Sequence, residues 1–340
     1  MSRPPLVSVL TPSFQQGSWL ADNLRSVAGQ TYANLEHIVM DGGSDDGTLE
    51  ILRRASDPRL RWWSERDRGQ SHALNKALSV SRGEIVGWLN SDDAYFSPSV
   101  IQDAVDLLRR RPEVSVVYGH AALVNADGLI LQIIWAPPFS RRLLLLHDFI
   151  LQPTVFIRRE ALGADMADET YDFAMDYELW LRLSAKARFA RLDRLVAIDR
   201  HHEMRKSTRM LGALDKDLVR LRERYGIHSG RAANAARQVW KIANRLIGAT
   251  LVRRASHERL AFDGHVDGRL ALLRRQIGAR RGSMPMNRRG SSEEGAFVGS
   301  RELRIADSND DQLVAEPTKD PIREAPPKDR KREERSPTQE

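Results

Sequence analysis

Short apolar runs alternate with helical patterns over the first two hundred residues of the chain. The apolar runs predict strands at residues 7–11, 35–40, 61–64, 85–89, 114–118 and 195–198. Between them, apolar residues recur at helical spacing and predict helices at residues 18–28, 46–55, 69–79, 97–110, 176–183 and 211–225. This alternation is typical of βαβ units and predicts an α/β domain with a mostly parallel sheet.

Turn and capping residues refine this pattern in two places. Ser97 followed by Pro98 predicts a helix N-cap with proline at the first helical position. Residues 121–125 and 129–134 flank Asp127-Gly128, which predicts a hairpin. An antiparallel insertion is therefore expected in the otherwise parallel sheet.

Charge divides the chain into three parts. The whole chain carries a formal charge of +7, but Lys and Arg number 17 against 4 acidic residues in 220–289 alone. We therefore expect a first folded domain at 1–219 and a basic amphipathic helical extension at 220–282. Residues 283–340 are rich in charged residues and proline and poor in large apolar ones, which predicts a disordered tail.

The composition excludes several kinds of chemistry. The chain has no cysteine, which excludes thiolate catalysis, iron–sulfur clusters, cysteine-bound zinc and disulfides, and favours a reducing compartment. Its first residues lack the charged and apolar regions of a leader, and no apolar stretch reaches the ~18 residues needed to span a bilayer. A cytoplasmic protein is expected.

Two adjacent acids follow the predicted strand at 85–89. Asp92 and Asp93 repel each other when both are ionised, unless a cation offsets their charge. Because open α/β sheets bind ligands at the carboxyl ends of their strands, these residues predict a divalent-metal site.

A second acidic and glycine-rich segment, residues 41–48, follows the strand at 35–40. Asp41 could accept hydrogen bonds from a nucleobase or sugar, although an ordinary turn with a helix cap is also consistent with this segment. The segment is neither GxGxxG nor a P-loop sequence, which removes the main support for dinucleotide and P-loop proteins.

An ordered set of motifs over residues 7–207 resembles the inverting glycosyltransferases of family two, which have the GT-A fold. The set consists of Val9-Leu10-Thr11-Pro12-Ser13-Phe14, residues 40–48, Ser64-Glu65-Arg66-Asp67-Arg68-Gly69-Gln70, Asn90-Ser91-Asp92-Asp93, Gln152-Pro153 and Asp176-Tyr177-Glu178-Leu179-Trp180. The resemblance is strongest to bacterial enzymes that build polysaccharides. It implies a Rossmann-like mixed sheet flanked by helices.

The resemblance also implies a role for individual residues. Positions implied to bind the nucleotide-sugar donor are Thr11, Pro12, Asp41, Asp67, Arg68, Asn75, Asp92 and Lys206. Positions implied to hold the metal are Asp92, Asp93 and His202, although a surface polar loop is an equally consistent interpretation of the segment around His202. Asn90 stands where the family's DxD motif has its first acid, which leaves open how Asp92 and Asp93 divide their roles.

The chemistry of sugar transfer requires such groups. Mg²⁺ or Mn²⁺ held by carboxylates would stabilise the departing nucleoside diphosphate. A positioned carboxylate would take the proton of the attacking hydroxyl, and Asp176 matches the family's base position. A helix N-cap is the alternative role of Asp176. Glu178 lies roughly 200° away around the helix, which predicts a supporting role for it.

Residues 237–254 combine apolar positions at helical spacing with arginines. Such a helix can lie in an anionic membrane interface on the inner face of the cell membrane. A helix that packs on the catalytic domain with solvated arginines is the alternative. Nucleic-acid binding has no support from a recognisable module or zinc spacing.

These features predict a metal-dependent inverting glycosyltransferase. Its partners would be a nucleotide-diphospho-sugar donor and a glycan or polyprenyl-linked acceptor, in cell-surface polysaccharide synthesis. The alternatives are a sugar-phosphate nucleotidyltransferase and a non-catalytic scaffold with a degenerate transferase domain. Against the nucleotidyltransferase, strand one of this chain is not followed by the Gly-rich, Arg- or Lys-bearing loop that would bind a triphosphate.

Overall fold

The computed structural model describes residues 3–126, 128, 130–203, 205 and 211–255, with residues 211–213 and 252–255 described by their backbone alone. The described residues form one nine-stranded sheet. Its strands are β1 Val7–Ser13, β2 Leu35–Asp41, β3 Leu60–Ser64, β4 Ile85–Trp88, β5 Ala94–Tyr95, β6 Val114–Val124, β7 Ile130–Ile134, β8 Phe156–Arg158 and β9 Arg188–Arg200. The expected mixed α/β architecture is confirmed.

Helices cover this sheet. They are α1 Gly17–Ala28, α2 Thr48–Arg54, α3 Gln70–Val80, α4 Val100–Arg110, α5 Arg141–Leu146, α6 Arg159–Leu162, α7 Met175–Ser184, α8 Leu211–Tyr225 and α9 Arg231–Ala255, with a short 3₁₀ turn at Gln152–Thr154. None of the helices in the described ranges is both long and apolar enough to cross a membrane.

The strand order is β3-β2-β1-β4-β8-β6-β9-β5, with β7 paired to β6. Strands β3, β2, β1 and β4 are parallel, and every residue of β1, β2 and β4 is buried. Parallel strands that are buried on both sides in this way need helices on both faces of the sheet. In the β1–β2 register Ser13 pairs with Asp41, so these strands end together at one edge.

The second half of the sheet departs from the prediction at a glycine. The sequence around Gly119 predicts separate strands before and after it, yet β6 runs unbroken through this position. A Cβ at Gly119 would lie 2.4 Å from Cγ2 of Val196 on β9. Gly119 therefore permits the close pairing of β6 and β9 and does not end a strand. The predicted antiparallel pairing of β6 with β7 is present.

Helix α4 begins later than the sequence predicts. The Ser97 hydroxyl is buried and accepts a hydrogen bond from Arg194 at 2.5 Å. Because that hydroxyl is engaged by β9, the helix starts at Val100 with Ser99 as its N-cap. The predicted cap at Ser97 is wrong.

Helices α8 and α9 pack on the domain that precedes them. Buried Asp217 of α8 accepts hydrogen bonds from the backbone N–H groups of Phe173 and Ala174, just before α7. The predicted boundary at residue 219 lies inside α8. The rest of the predicted extension, residues 256–282, and the predicted tail at 283–340 lie outside the described residues.

His37 on β2 makes stability depend on pH. Its Nε2 lies 2.9 Å from the Thr11 hydroxyl, and burial lowers the pKa of the imidazole to about 3. The unfolded chain therefore binds a proton that the folded chain rejects between pH 6.5 and about 3.

We expect His37 to lower the free energy of unfolding by up to ~1.4 kcal/mol for each pH unit of acidification within that window. His37→Gln keeps a hydrogen-bonding side chain. It should reduce the slope of the unfolding free energy against pH by the contribution of one bound proton, up to ~1.4 kcal/mol per pH unit. Urea unfolding of both proteins between pH 6.5 and 4.5 measures this slope. Equal slopes would contradict the assignment.

Candidate active site

The candidate site lies at the edge of the sheet where β1, β2 and β4 end. Asp41 is the last residue of β2, and Asn90 to Asp93 follow β4 directly. Residues 201–203 and 205 follow β9, residues 65–69 follow β3, and both segments reach the same edge, where His202 contacts Asp92 and Asp67 lies beside Gly42. The topology thus gathers here residues that are distant in sequence, as in other open α/β sheets.

Asp92 lies at the centre of this edge and is only 6% exposed. Its Oδ2 lies 3.0 Å from Nε2 of His202 and accepts a hydrogen bond from the Gln16 amide at 3.2 Å. The His202 ring also stacks against Trp19, with the ring centroids 3.8 Å apart. The structure therefore brings predicted residues Asp92 and His202 into contact, together with two residues that the sequence analysis missed.

Asp93 is buried beside Asp92 in an environment that disfavours its charge. Burial, followed by the negative charges of Asp92 and Asp199, holds the pKa of the Asp93 carboxyl well above its ordinary value. Its Oδ1 accepts a hydrogen bond from the backbone N–H of Arg200 at 3.1 Å. Arg205 pairs with Asp199 at 2.6 Å and opposes the shift.

This donor set suits a hard divalent cation. Burial is the largest cause of the raised Asp93 pKa, and the negative charges of Asp92 and Asp199 add to it; a cation would relieve that repulsion. Within the described residues, no three His, Asp or Glu side chains form a ready ligand cage. Mg²⁺ is commonly held by one or two carboxylates together with substrate phosphates, and the Asp92–Asp93 pair fits that mode.

Asn90 has a structural reason to be an amide. Its Oδ1 accepts hydrogen bonds from the side chains of Gln70 and Trp88, both at 2.8 Å, while its Nδ2 donates to Gln152 at 2.7 Å. A carboxylate could not make the donated bond. Asn90 therefore connects the end of β4 to α3 and to the 152–154 turn. The acidic side chains of this segment are those of Asp92 and Asp93, two and three residues later.

The predicted nucleotide-pocket residues on β1 and β2 face inward. The Asp41 carboxylate accepts hydrogen bonds from Ser44 and Ser64 hydroxyls, both at 2.6 Å, and from two loop N–H groups. The Thr11 hydroxyl contacts His37, and Pro12 is buried in β1. Their role in lining the nucleotide pocket stays a prediction, and within the fold these contacts order the surrounding loops.

Two other side chains, those of Phe14 and Asp67, lie next to the glycine that follows β2. Phe14 is 59% exposed, although it is a large apolar side chain. A Cβ at Gly42 would lie 3.2 Å from the Phe14 ring and 3.0 Å from Oδ2 of Asp67, so a side chain here would require both neighbours to shift by a few tenths of an ångström. Phe14 and Asp67 thus flank a surface next to the end of β2.

Arg68 and Asn75 both contact the segment that precedes α7. Arg68 forms a 2.8 Å ion pair with Glu169, and Asn75 accepts hydrogen bonds from the N–H groups of Met166 and Ala167. The Asn75 amide also donates to the Ala167 carbonyl. These bonds make Asn75 a brace for this segment, and its role in binding the donor stays a prediction.

Asp176 lies in the first turn of α7 and is half-buried. Its Oδ1 accepts a hydrogen bond from the N–H of Tyr177 at 2.8 Å. Glu178 is fully buried and engages Arg182 and the Tyr225 hydroxyl. The two acids therefore differ in exposure, with Asp176 the one open to solvent.

Helix α3 connects Asp176 to the acid pair. The Ser71 hydroxyl contacts Sδ of Met175 at 3.1 Å, and the neighbouring Gln70 binds Asn90. One helical turn thus contacts both the start of α7 and the end of β4. Lys206, the remaining predicted donor-binding residue, lies outside the described residues.

The chain is similar to known glycosyltransferases in sequence. Residues 8–162 match the model of the family described as Glycosyl transferase family 2. An uncharacterized glycosyltransferase of Mycobacterium tuberculosis is 32% identical over 187 residues, which cover 54% of this chain and 70% of that protein. A hyaluronan synthase of Pasteurella multocida is 29% identical over 199 residues, or 57% of this chain. This last match spans only 20% of the synthase.

The fold has a counterpart among solved structures. The mannosyltransferase PcManGT from Pyrobaculum calidifontis, in complex with GDP-Man and Mn²⁺, superposes with a TM-score of 0.51 and 20% identity. The superposition covers 82% of this chain and 81% of that one. The likeness extends the expected GT-A architecture to most of the chain. The chain belongs to glycosyl transferase family 2.

Proposed function

We propose that this protein transfers a sugar from a nucleotide-diphospho-sugar to an acceptor hydroxyl, with inversion at the sugar carbon and with the help of a divalent cation. The observation that carries the proposal is the buried acid pair Asp92–Asp93, with the raised pKa of Asp93, at the ligand-binding edge of the sheet. A half-buried Asp176 near the same edge supplies the second group that the reaction needs.

Asp92 and Asp93 would hold Mg²⁺ or Mn²⁺, with His202 adjusting the Asp92 carboxylate or joining the ligand set. Such an ion, when bound, neutralises charge that develops on the departing diphosphate. The contacts of Gln16 and His202 fix the direction of Oδ2 of Asp92. Because two partners restrain this carboxylate, the site would be preorganised on the protein side.

Asp176 would serve as the general base. The acceptor oxygen forms a bond to the anomeric carbon as the bond to the diphosphate oxygen breaks, and the hydroxyl proton passes to the Asp176 carboxylate. A single displacement of this kind inverts the configuration. Helix α7 holds the base in place, because Asp217 and Glu178 attach that helix to α8.

The acceptor class is proposed from the relatives and not from the geometry. Several relatives are named as hyaluronan or chondroitin synthases, although this chain spans only 20–29% of their length. We therefore propose a glycan or polyprenyl-linked acceptor in polysaccharide synthesis. The nucleobase is left to the binding panel below.

Phe14 gives a prediction about nucleotide binding. An exposed aromatic ring beside the glycine-rich loop offers a stacking surface for a nucleobase, and such stacking is worth ~1–3 kcal/mol per base. We expect Phe14→Ala to weaken nucleoside diphosphate binding roughly 5- to 150-fold, and Phe14→Trp to preserve it. Isothermal titration calorimetry measures both. Equal affinity of the alanine variant would exclude stacking on Phe14.

The proposal is tested by titrating the full chain with UDP, GDP, ADP, CDP and dTDP in Mn²⁺, in Mg²⁺ and in EDTA. We expect at least one nucleoside diphosphate to bind with metal present, and Asp92→Asn to lose that binding. Asp45→Asn, in the exposed part of the 41–48 loop, is the matched control. Absence of any metal-dependent binding would favour the scaffold alternative. Binding of triphosphates with release of pyrophosphate would favour the nucleotidyltransferase.

A further inference from the structure

Helix α9 carries apolar residues on two faces, one that packs on the domain and one that is exposed. The inner face packs on the domain: the Asn244 side chain bonds both backbone groups of Trp135, and a Cβ at Gly248 would lie 2.1 Å from the Ile133 carbonyl oxygen. Trp240 stacks near Trp135, with the ring centroids 5.6 Å apart. The packed-helix alternative therefore describes this face.

The outer face carries an apolar strip made of Val239, Ile242 and Leu246. These side chains are 68%, 60% and 67% exposed, and their spacing of three and four residues places them on one line along the helix. They are three of the six large apolar side chains recorded as exposed in the described part of the chain. The strip has a length of about two helical turns and lies parallel to the packed face.

The charge around the strip is of a single sign. Residues 231–255 include six Lys and Arg and no Asp or Glu. Lys241 and Arg245 immediately neighbour Ile242 and Leu246, and Arg245 is exposed. Exposed Arg141 and Arg142 lie on α5, whose last residue, Leu146, accepts a hydrogen bond from Arg237 of α9 through its carbonyl.

The exposed apolar strip and the basic residues beside it together indicate what kind of partner this face binds. A second copy of α9 would bring lysines and arginines face to face with no acid in the helix to pair them, which disfavours self-association. An anionic bilayer offers both an apolar interior for the strip and phosphates for the flanking cations. The occupant that matches both features is a lipid surface.

We propose that the outer face of α9 docks this protein on an anionic lipid bilayer, with Val239, Ile242 and Leu246 inserted between headgroups. Contacts of Arg237 with α5, and of Tyr177 on α7 with the Leu144 carbonyl of α5, connect the docked helix to the helix that carries Asp176. Docking would thus hold the active-site edge at a fixed orientation to the membrane. The proposal does not depend on the transferase function.

The test is co-sedimentation of the full chain with two kinds of vesicle. One is phosphatidylcholine alone, and the other is phosphatidylcholine with about 30% phosphatidylglycerol, which gives a strongly anionic surface. We expect binding to the anionic vesicles only. The double variant Ile242→Ser with Leu246→Ser should bind at least tenfold more weakly, because it removes apolar surface without changing charge. Val219→Ser, an equivalent change at an exposed residue of α8, should bind as the wild type does.

Two further variants keep the proposal testable if the double serine variant does not fold. Lys241→Gln and Arg245→Gln should each weaken binding about fivefold, and added salt should weaken wild-type binding. Wild-type protein that ignores anionic vesicles overturns the proposal, as does undiminished binding by a folded double serine variant. Vesicle binding needs no donor or catalysis, so its failure and that of the transferase proposal are distinguishable. A dimer that the serine variants dissociate, with vesicle binding unchanged, would assign the strip to a second copy instead.

Discussion

Asp176→Asn should lower kcat by about 10²- to 10⁴-fold and leave nucleoside diphosphate affinity unchanged. The factor is that of losing a general base, since asparagine cannot take the hydroxyl proton. Binding should persist because Asp176 contacts only the N–H of Tyr177 among the described hydrogen bonds, and the acid pair is held by other residues. Steady-state kinetics and calorimetry measure the two quantities.

The control for this prediction is Asp172→Asn, which removes an exposed carboxylate four residues earlier in the chain. We expect it to retain full kcat. If Asp176→Asn turned over at the wild-type rate, the base would have to be another group. If it lost nucleotide binding as well, the carboxylate would belong to the donor site.

Asp93→Asn should stabilise the metal-free protein and abolish metal-dependent nucleotide binding. The Asp93 carboxyl has a folded pKa well above its ordinary value of 3.8, through burial and then the charge of Asp92. Its ionisation therefore opposes folding increasingly as pH rises above about 4. An amide removes that penalty, so the gain in unfolding free energy should be absent near pH 4 and grow toward neutral pH.

Thermal unfolding in EDTA across that pH range measures the gain, and calorimetry with Mn²⁺ measures the loss of binding. Asp165→Asn changes an exposed carboxylate and should alter neither quantity. A variant that is less stable than the wild type at every pH would contradict the electrostatic account of Asp93. Adding Mn²⁺ should raise the melting temperature of the wild type and not that of Asp93→Asn.

The elements that were predicted correctly are those with long, local signals. Strands β1 and β2 are rich in apolar residues and fully buried, and the edge at which Asp41 and Asp92 lie follows from parallel strands ending together. Strands β5 and β8 contain two and three residues, too few to show a period. Gly119 was misleading because its role depends on a neighbour on β9 that is remote in sequence.

The site follows the same division. A cation beside Asp92 and Asp93 could be predicted from their adjacency in the sequence, whereas His202 was placed with them only by the family resemblance and Gln16 was not predicted at all. Gln16 reaches Asp92 across 76 residues and His202 across 110, so no local pattern joins them. The glutamine pair at positions 15 and 16, separated from the end of β1 by one residue at the ligand-binding edge, is the sequence signal that could have indicated Gln16.

The direction of side chains was the least predictable feature. Asn90 and Thr11 have residue types and positions suited to ligand contact, yet their polar groups are used within the fold. Which way such a side chain points is decided by partners on other elements, such as Gln152 in the 152–154 turn and His37 on β2. The identity of these partners requires the sheet order, which the chain pattern does not determine.

The most direct test of the central claim is release of nucleoside diphosphate from a panel of nucleotide sugars by the full chain, in Mn²⁺ and in EDTA. The account predicts release from at least one donor when an acceptor glycan is present, loss of release in EDTA, and loss in both Asp92→Asn and Asp176→Asn. Release that continues undiminished in EDTA and in both variants would contradict it.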